Sequence, residues 1–368
     1  NYYPILVNID AHPEALPHWG VASADISYEM PVQGDGSTRS AMLFMGTIPS
    51  YAGPVRSARV PMGSLREIWD SAWVFYGWQN WAKGPNLVVD VDDWALSVHS
   101  DARQKGRWVF PFVEGSERNY SDLFHRENDG EHVAPHNVQI NMNAVASLFT
   151  SESTKHPFKF TETGLDRGVD VSAITINYKT TNPAYISSYE YNEMTGLYER
   201  YRNGAPYYDA LTGAQTEYAN VIVLRTDVSW YNNAPQRPVI QLVGQGVAEI
   251  FQNGKYIRGT WVRTHDGKTG DDAKSLPARM IFLDENGEEL EMKVGKTFIQ
   301  IVNNDQAVIV NAGEQIEGAT AQATPAPTAT PKPTRTPKPT RTPKASANAT
   351  PAPVEGEDNA DEDVSFGG

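Results

Sequence analysis

Short apolar runs separated by glycine turns recur from residue 172 to residue 310, and none of them carries a helical period. This pattern restricts the second half of the chain to β structure. Strands are expected at 174–178, 185–191, 197–202, 221–225, 239–242, 246–252, 256–264, 278–283, 296–302 and 308–309. Asn253-Gly254 and Asn286-Gly287 read as two-residue hairpin turns, in which both central residues take positive φ. Asn203-Gly204 and Thr195-Gly196 are weaker signals of the same kind, and Gly244-Gln245-Gly246 reads as a β-turn or bulge. Successive hairpins of this type predict a meander, a sandwich or a partial barrel.

The first 149 residues mix periods. Strands are expected at 5–9, 26–32, 40–47, 74–76 and 87–91. Helices are expected at 61–69 and 142–149, the second with Asn141 as N-cap. The predicted fold class is α+β. An N-terminal mixed α/β domain (1–160) carries the polar motifs, a mainly antiparallel β domain follows (171–312), and a disordered tail completes the chain (319–368). A single domain reaching residue 310 is the alternative architecture. In the tail, Pro-Lys-Pro-Thr-Arg-Thr occurs at 331–336 and again at 337–342, ahead of an acidic end. So little of it can be buried that nothing offsets the entropy of ordering it, and proline density favours an extended spacer. Its spaced cations, Lys332, Arg335, Lys338, Arg341 and Lys344, offer contacts to wall polymer or phospholipid.

Composition removes several function classes. A formal net charge of −14 argues against nucleic-acid binding by phosphate neutralisation. The absence of cysteine excludes disulfides, thiolate metal sites and thiol nucleophiles. No apolar run approaches the roughly 18 residues of a membrane span. No export segment is visible, which fits either a cytoplasmic protein or an exported one whose leader lies ahead of residue 1.

The polar signal concentrates before residue 140. Asp10 ends a buried strand, and Asp25, Ser27 and Glu29 alternate on another. Arg39 follows, then Gly53-Pro54-Val55-Arg56-Ser57-Ala58-Arg59, in which Arg56 and Arg59 would share a face of a helix starting there. Rigidly held arginines fork onto carboxylates or phosphates. Two readings compete: ion pairs of Asp10 and Glu29 with these arginines that hold loops together, or a cleft for an anionic or polyhydroxylated ligand. Ala134-Pro135-His136-Asn137 suggests a fixed turn presenting a histidine. His132 and His136 have zinc-type spacing, but Pro135 between them disfavours the helix it requires, so no metal and no cofactor is expected. Asp90-Val91-Asp92-Asp93 lacks a full calcium-loop spacing, and Asp266-Gly267-Lys268 and residues 284–289 read as turns. Trp69, Trp73, Trp78, Trp81, Trp94 and Trp108 cluster in one window, suited to core packing or to stacking on sugar rings.

The segments 8–13, 20–29, 37–39, 53–59 and 134–137 resemble the YerB-like lipoproteins of Gram-positive bacteria, the DUF3048 family, whose function is unknown. Residues 191–201, 220–223, 253–255, 259–261 and 295–299 resemble its C-terminal part. The resemblance implies export and tethering to the outer face of the cytoplasmic membrane by a lipidated N-terminal cysteine, which these 368 residues do not contain. The expected function is an extracytoplasmic envelope module that binds a cell-wall glycan, a peptidoglycan fragment or an envelope protein. Its ligand site would be lined by Asp10, Glu29, Arg39, Arg56, Arg59, His136 and Asn137. One alternative is a hydrolase or transferase of wall polymer using Asp10 or Glu29 with His136; another is a scaffold for an envelope complex.

Overall fold

Ile5, Leu6 and Val7 open the first strand as three consecutive apolar residues, so both faces of that strand need cover. In the structure, a computed structural model, β1 (Ile5–Asp10) is buried along its whole length. The structure describes residues 3–77, 112–115, 120–149, 153, 157–179, 181–230, 236–263, 280–311, 313–316 and 318. The expected strand at 87–91, the tryptophans from Trp78 to Trp108, the acidic run at 90–93, the turn at 266–268 and the tail from 319 lie outside these residues.

Strand β2 (Ile26–Pro31) and strand β3 (Thr38–Phe44) form an antiparallel hairpin, and β3 pairs antiparallel with β1. Strand β4 (Tyr51–Ala52) and helix α1 (Val60–Trp69) lead to β5 (Ala72–Phe75), which lies parallel to β1. Strand β6 (Phe112–Glu114) is parallel to β5. Strands β7 (Phe124–Arg126) and β8 (Val138–Asn141) complete a small sheet with β4. Helix α2 (Met142–Leu148) starts where the Asn141 side chain accepts the Ala144 N–H at 3.0 Å, as the cap reading expected.

The two halves of the sequence share one sheet. The strand Thr297–Asn303 runs parallel to β2 on one side, with Glu29 opposite Gln300, and parallel to Asn220–Thr226 on the other. The sheet continues through Gly244–Gln252 and Lys255–Arg263. A second sheet, containing Ala173–Asn177, Ile186–Asn192, Leu197–Arg202 and Val308–Val310, is wholly antiparallel along its main path. The described residues up to 318 fall in one compact unit. They are mostly strand, with two α-helices among them, so the fold is mixed and β-rich.

Alternation explains the layers. Ile222, Leu224, Ile299 and Ile301 face one core together with Leu6, Tyr28 and the α1 side chains Met62, Leu65 and Ile68. Val221, Val223, Phe298 and Val302 face another core, filled from the second sheet by Ile174, Ile176, Tyr189 and Tyr198. Ile5, Val7 and Ile9 face a third, against Val138, Ile140, Met142 and Val145.

The turns follow their chemistry, with two corrections. Asn253 and Gly254 have φ of 53° and 69° and close the Gly244–Gln252/Lys255–Arg263 hairpin as expected, and Asn203-Gly204 does the same at 50° and 75°. At Asn286-Gly287 only the glycine has positive φ. Asp284 Oδ1 accepts the Asn286 and Glu288 N–H groups at 2.8 and 2.9 Å, so the aspartate organises a longer loop and the two-residue turn is not formed. Gly244-Gln245-Gly246 is not a separate turn; it opens the strand Gly244–Gln252, where a Cβ on Gly246 would lie 2.6 Å from the Arg225 carbonyl oxygen.

Candidate functional site

Four chain segments meet at the carboxyl end of β1. Asp10 closes that strand, with Arg39 of β3 as its cross-strand partner. The segment after Gly53 runs alongside: Asp10 N–H donates to the Pro54 carbonyl at 2.8 Å, Arg56 N–H to Asn8 at 3.0 Å, and Val55 N–H to Val138 at 2.7 Å. Gly53 is needed because a Cβ there would stand 2.6 Å from the Val138 carbonyl oxygen. The fourth segment is the turn before β8, in which His136 N–H donates to Val133 at 2.7 Å and the imidazole points at Asp10.

Asp10 is the hub. Its Oδ2 lies 2.6 Å from His136 Nδ1 and 3.0 Å from Arg56 Nε, and its Oδ1 accepts the His12 N–H at 3.1 Å. Burial alone would raise this carboxyl. The His136 hydrogen bond and the Arg39 and Arg56 guanidinium groups overcome that and hold it well below the usual carboxylate range. A carboxylate only accepts, so His136 Nδ1 must donate, and the lone pair of a neutral His136 then sits on Nε2.

The arginines are under-compensated. Arg39 is buried and its Nη1 donates to the Ser57 carbonyl at 2.9 Å. Arg59 is 3% exposed; its Nη1 donates to the Ala58 carbonyl at 2.8 Å, and its buried Nε finds no hydrogen-bond acceptor among the described residues. Burial, followed by the charges of Arg39, Arg237 and Arg56, pushes Arg59 well below its usual value; burial lowers Arg39 to about 10. Guanidinium does not lose its proton in proteins, so this penalty is an unmet demand for negative charge. The Asp10 carboxylate lies 3.0 Å from Arg56, and its charge acts on Arg39 and Arg59 as well.

Glu29 and Asn137 do not join this group. Glu29 is fully buried, and Arg202 Nη1 and Arg200 Nη2 each reach it at 3.0 Å. Thr38, Ser187 and Gln300 donate to the same two oxygens, at 2.7, 3.3 and 3.3 Å. Burial would raise this carboxyl too, yet the two arginines hold it at about 2. With its acceptor sites filled, Glu29 has nothing to offer a ligand and no proton to exchange near neutrality. Asn137 staples its loop, accepting from Arg126 Nη1 at 2.8 Å and donating to the Glu127 carbonyl at 2.8 Å.

The sequence reading missed Arg200, Arg202, His12 and Glu14. Arg200 and Arg202 alternate with Tyr198 on the buried face of one strand, a period-2 signal that calls for a buried counter-charge. His12 stacks on His136, with ring centroids 4.1 Å apart, and Glu14 Oε2 lies 3.7 Å from His136 Nε2. Arg56, His12 and Glu14 keep the rim open to solvent; their side chains are 22%, 41% and 59% exposed.

Comparison with known proteins gives the chain a context. Residues 1–155 match the model of the DUF3048 N-terminal domain, a protein family of unknown function, and residues 174–299 match the DUF3048 C-terminal domain. A curated relative, "Putative lipoprotein YerB" of Bacillus subtilis (strain 168), is 24% identical over 318 residues, covering 85% of each chain. The crystal structure of YerB protein from Bacillus subtilis is similar in fold, with a TM-score of 0.62 at 23% identity, over 82% of this chain and 91% of that one.

Proposed function

The chain belongs to the DUF3048 family, and we propose that it is an extracytoplasmic, lipid-anchored module of the cell envelope that captures an anionic wall glycan or peptidoglycan fragment at the arginine cluster around Asp10. The relative's name as a lipoprotein supports the location. The proline-rich tail from 319 would act as a solvated spacer. The observation that carries the ligand reading is the charge imbalance: Arg39, Arg56, Arg59 and Arg237 gather where, among the described residues, Asp10 is the counter-charge. Carboxylate or phosphate groups on a wall polymer have the geometry that guanidinium forks accept. The position also fits. The carboxyl ends of β1, β5 and β6, which run parallel, lie on one side of the sheet, and ligands of open parallel sheets bind at that end.

Isothermal titration of the full chain with muropeptides and with phosphate-bearing wall polymer tests this reading. Saturable binding is expected, weakened at least tenfold in Arg56→Ala and partly restored in Arg56→Lys. Absence of binding to every fraction, or binding indifferent to Arg56, would refute it.

One observation favours a second reading. The Asp10–His136 pair has the form of an oriented general base, with Nε2 of a neutral His136 free to take a proton. Zymography on purified wall material decides it: product release that His136→Gln abolishes supports a hydrolase, and no release at any pH removes that option.

A further inference from the structure

We propose that His12, Glu14 and His136 form a binding site for a divalent transition-metal ion of the zinc class, and this inference does not depend on the arginine cluster holding an anion.

The three residues come from two segments 122 positions or more apart in sequence, so no linear spacing announces them. One ligand atom from each lies within 4.8 Å of the others. His136 Nε2 stands 3.7 Å and His12 Nδ1 3.9 Å from the same Glu14 oxygen. Two ligands on a tetrahedral zinc, with bonds of about 2.0–2.2 Å, stand roughly 3.4 Å apart, so the two distances to Glu14 need to shorten by a few tenths of an ångström. Glu14 is the most exposed of the three and can supply that shift.

The second observation is the bond behind His136. Its Nδ1 is held at 2.6 Å by the Asp10 carboxylate, which fixes the ring and leaves Nε2 as the ligating nitrogen of the neutral ring. A carboxylate behind a metal-ligating histidine is the usual supporting arrangement, and it raises the basicity of the imidazole. The nearby Arg56 opposes a cation, and its ion pair with Asp10 at 3.0 Å offsets part of that opposition.

A second His-acid cluster shows the contrast. At His132, Nδ1 faces Asp129 Oδ2 at 2.6 Å and Nε2 faces the Pro17 carbonyl at 2.9 Å. Both ring nitrogens are engaged, and no lone pair remains for an ion. His136 has one nitrogen free of such an anchor.

The geometry also dictates a movement. A metal lies in the plane of each imidazole that binds it, and the His12 and His136 rings are nearly parallel, at 13°. They cannot ligate together while stacked. His12, half-buried at the rim, must turn, giving up the weak 3.3 Å hydrogen bond that its Nδ1 accepts from the Glu14 N–H. Three protein ligands leave a fourth position open to water or to an anionic oxygen.

Titration of the untagged full chain with Zn²⁺ alone, read by calorimetry, and with Co²⁺, read by visible absorption, tests the site. One ion per chain is expected, with ligand-field bands marking low coordination. His12→Ala and Glu14→Gln, both at the rim, should weaken binding at least tenfold, and Asp10→Asn by about 10–100-fold through loss of the support behind His136. His125→Ala, at an exposed histidine elsewhere, should leave it unchanged. Affinity should fall as pH drops and protons compete for the imidazoles. No saturable site, or a site indifferent to both His12→Ala and Glu14→Gln, would overturn the proposal.

Discussion

Asp10 and Glu29 stand on strands that flank β3 from either side, yet they lead opposite lives. Register separates them: Asp10 lies across from Arg39 and then Met30, whereas Glu29 lies across from Ser40 and then Ile9. One step of register in a sheet reverses the face. Glu29 is thereby turned toward the second sheet, where Arg200, Arg202, Ser187 and Gln300 close around it. Asp10 sits at a strand end, and its partners Arg56 and His136 come from loops that keep contact with solvent. The same functional group, a carboxylate, in the same sheet thus ties two layers together at one position and holds a chemically open cluster at the other. What decides between them is how completely the carboxylate oxygens and the facing guanidinium groups are used up.

Breaking the closed network should have the largest effect. Glu29→Gln keeps the shape and leaves Arg200 and Arg202 buried without their counter-charge, so chemical denaturation should register a loss of about 3–5 kcal/mol. The same residue should govern acid stability. Its folded value of about 2 lies below the ordinary 4.5, so its stabilisation is complete above roughly pH 4.5 and is lost as pH falls toward 2. Denaturation profiles across that window should be steep in the natural chain and flatter in Glu29→Gln; identical profiles would deny the network its role. Asp10→Asn comes next, at about 1–3 kcal/mol, because its charged hydrogen bonds are reachable by water on the rim side. It should impair ligand and metal binding far more than folding. Asn141→Ala, remote from both carboxylates, should cost about 1 kcal/mol for the lost cap of α2 and change neither binding property. The smallest stability change, below about 1 kcal/mol, is expected for Arg56→Ala, whose partly exposed ion pair is screened by solvent.

Local chemistry was legible in the residues themselves. The apolar run of β1, the Asn141 cap and the Asn253-Gly254 hairpin each depend on neighbours within a few positions, and each appears where those neighbours put it. Asn286-Gly287 misled because Asp284, two residues earlier, recruits the same backbone N–H groups into a wider loop. The convergence of Asp10, Arg39, Arg56 and His136 could be anticipated from motif density alone. The loss of Glu29 from that group could not, because its partners lie 171 and 173 residues away and the register that turns it inward is a property of the paired sheet. His12 was hidden for a related reason: its neighbour in space, His136, reaches it through a turn set by the path of β8.

The difference between the two carboxylates is tested most directly by thermal unfolding with and without phosphate-bearing wall polymer, run in parallel on the natural chain, Arg56→Ala and Glu29→Gln at a pH where all three fold. We expect the polymer to raise the midpoint of the natural chain, to raise that of Glu29→Gln by a similar amount from a lower start, and to leave Arg56→Ala where it was. A polymer-induced rise that survives in Arg56→Ala, or that vanishes in folded Glu29→Gln, would contradict the division of labour between the rim and the buried network.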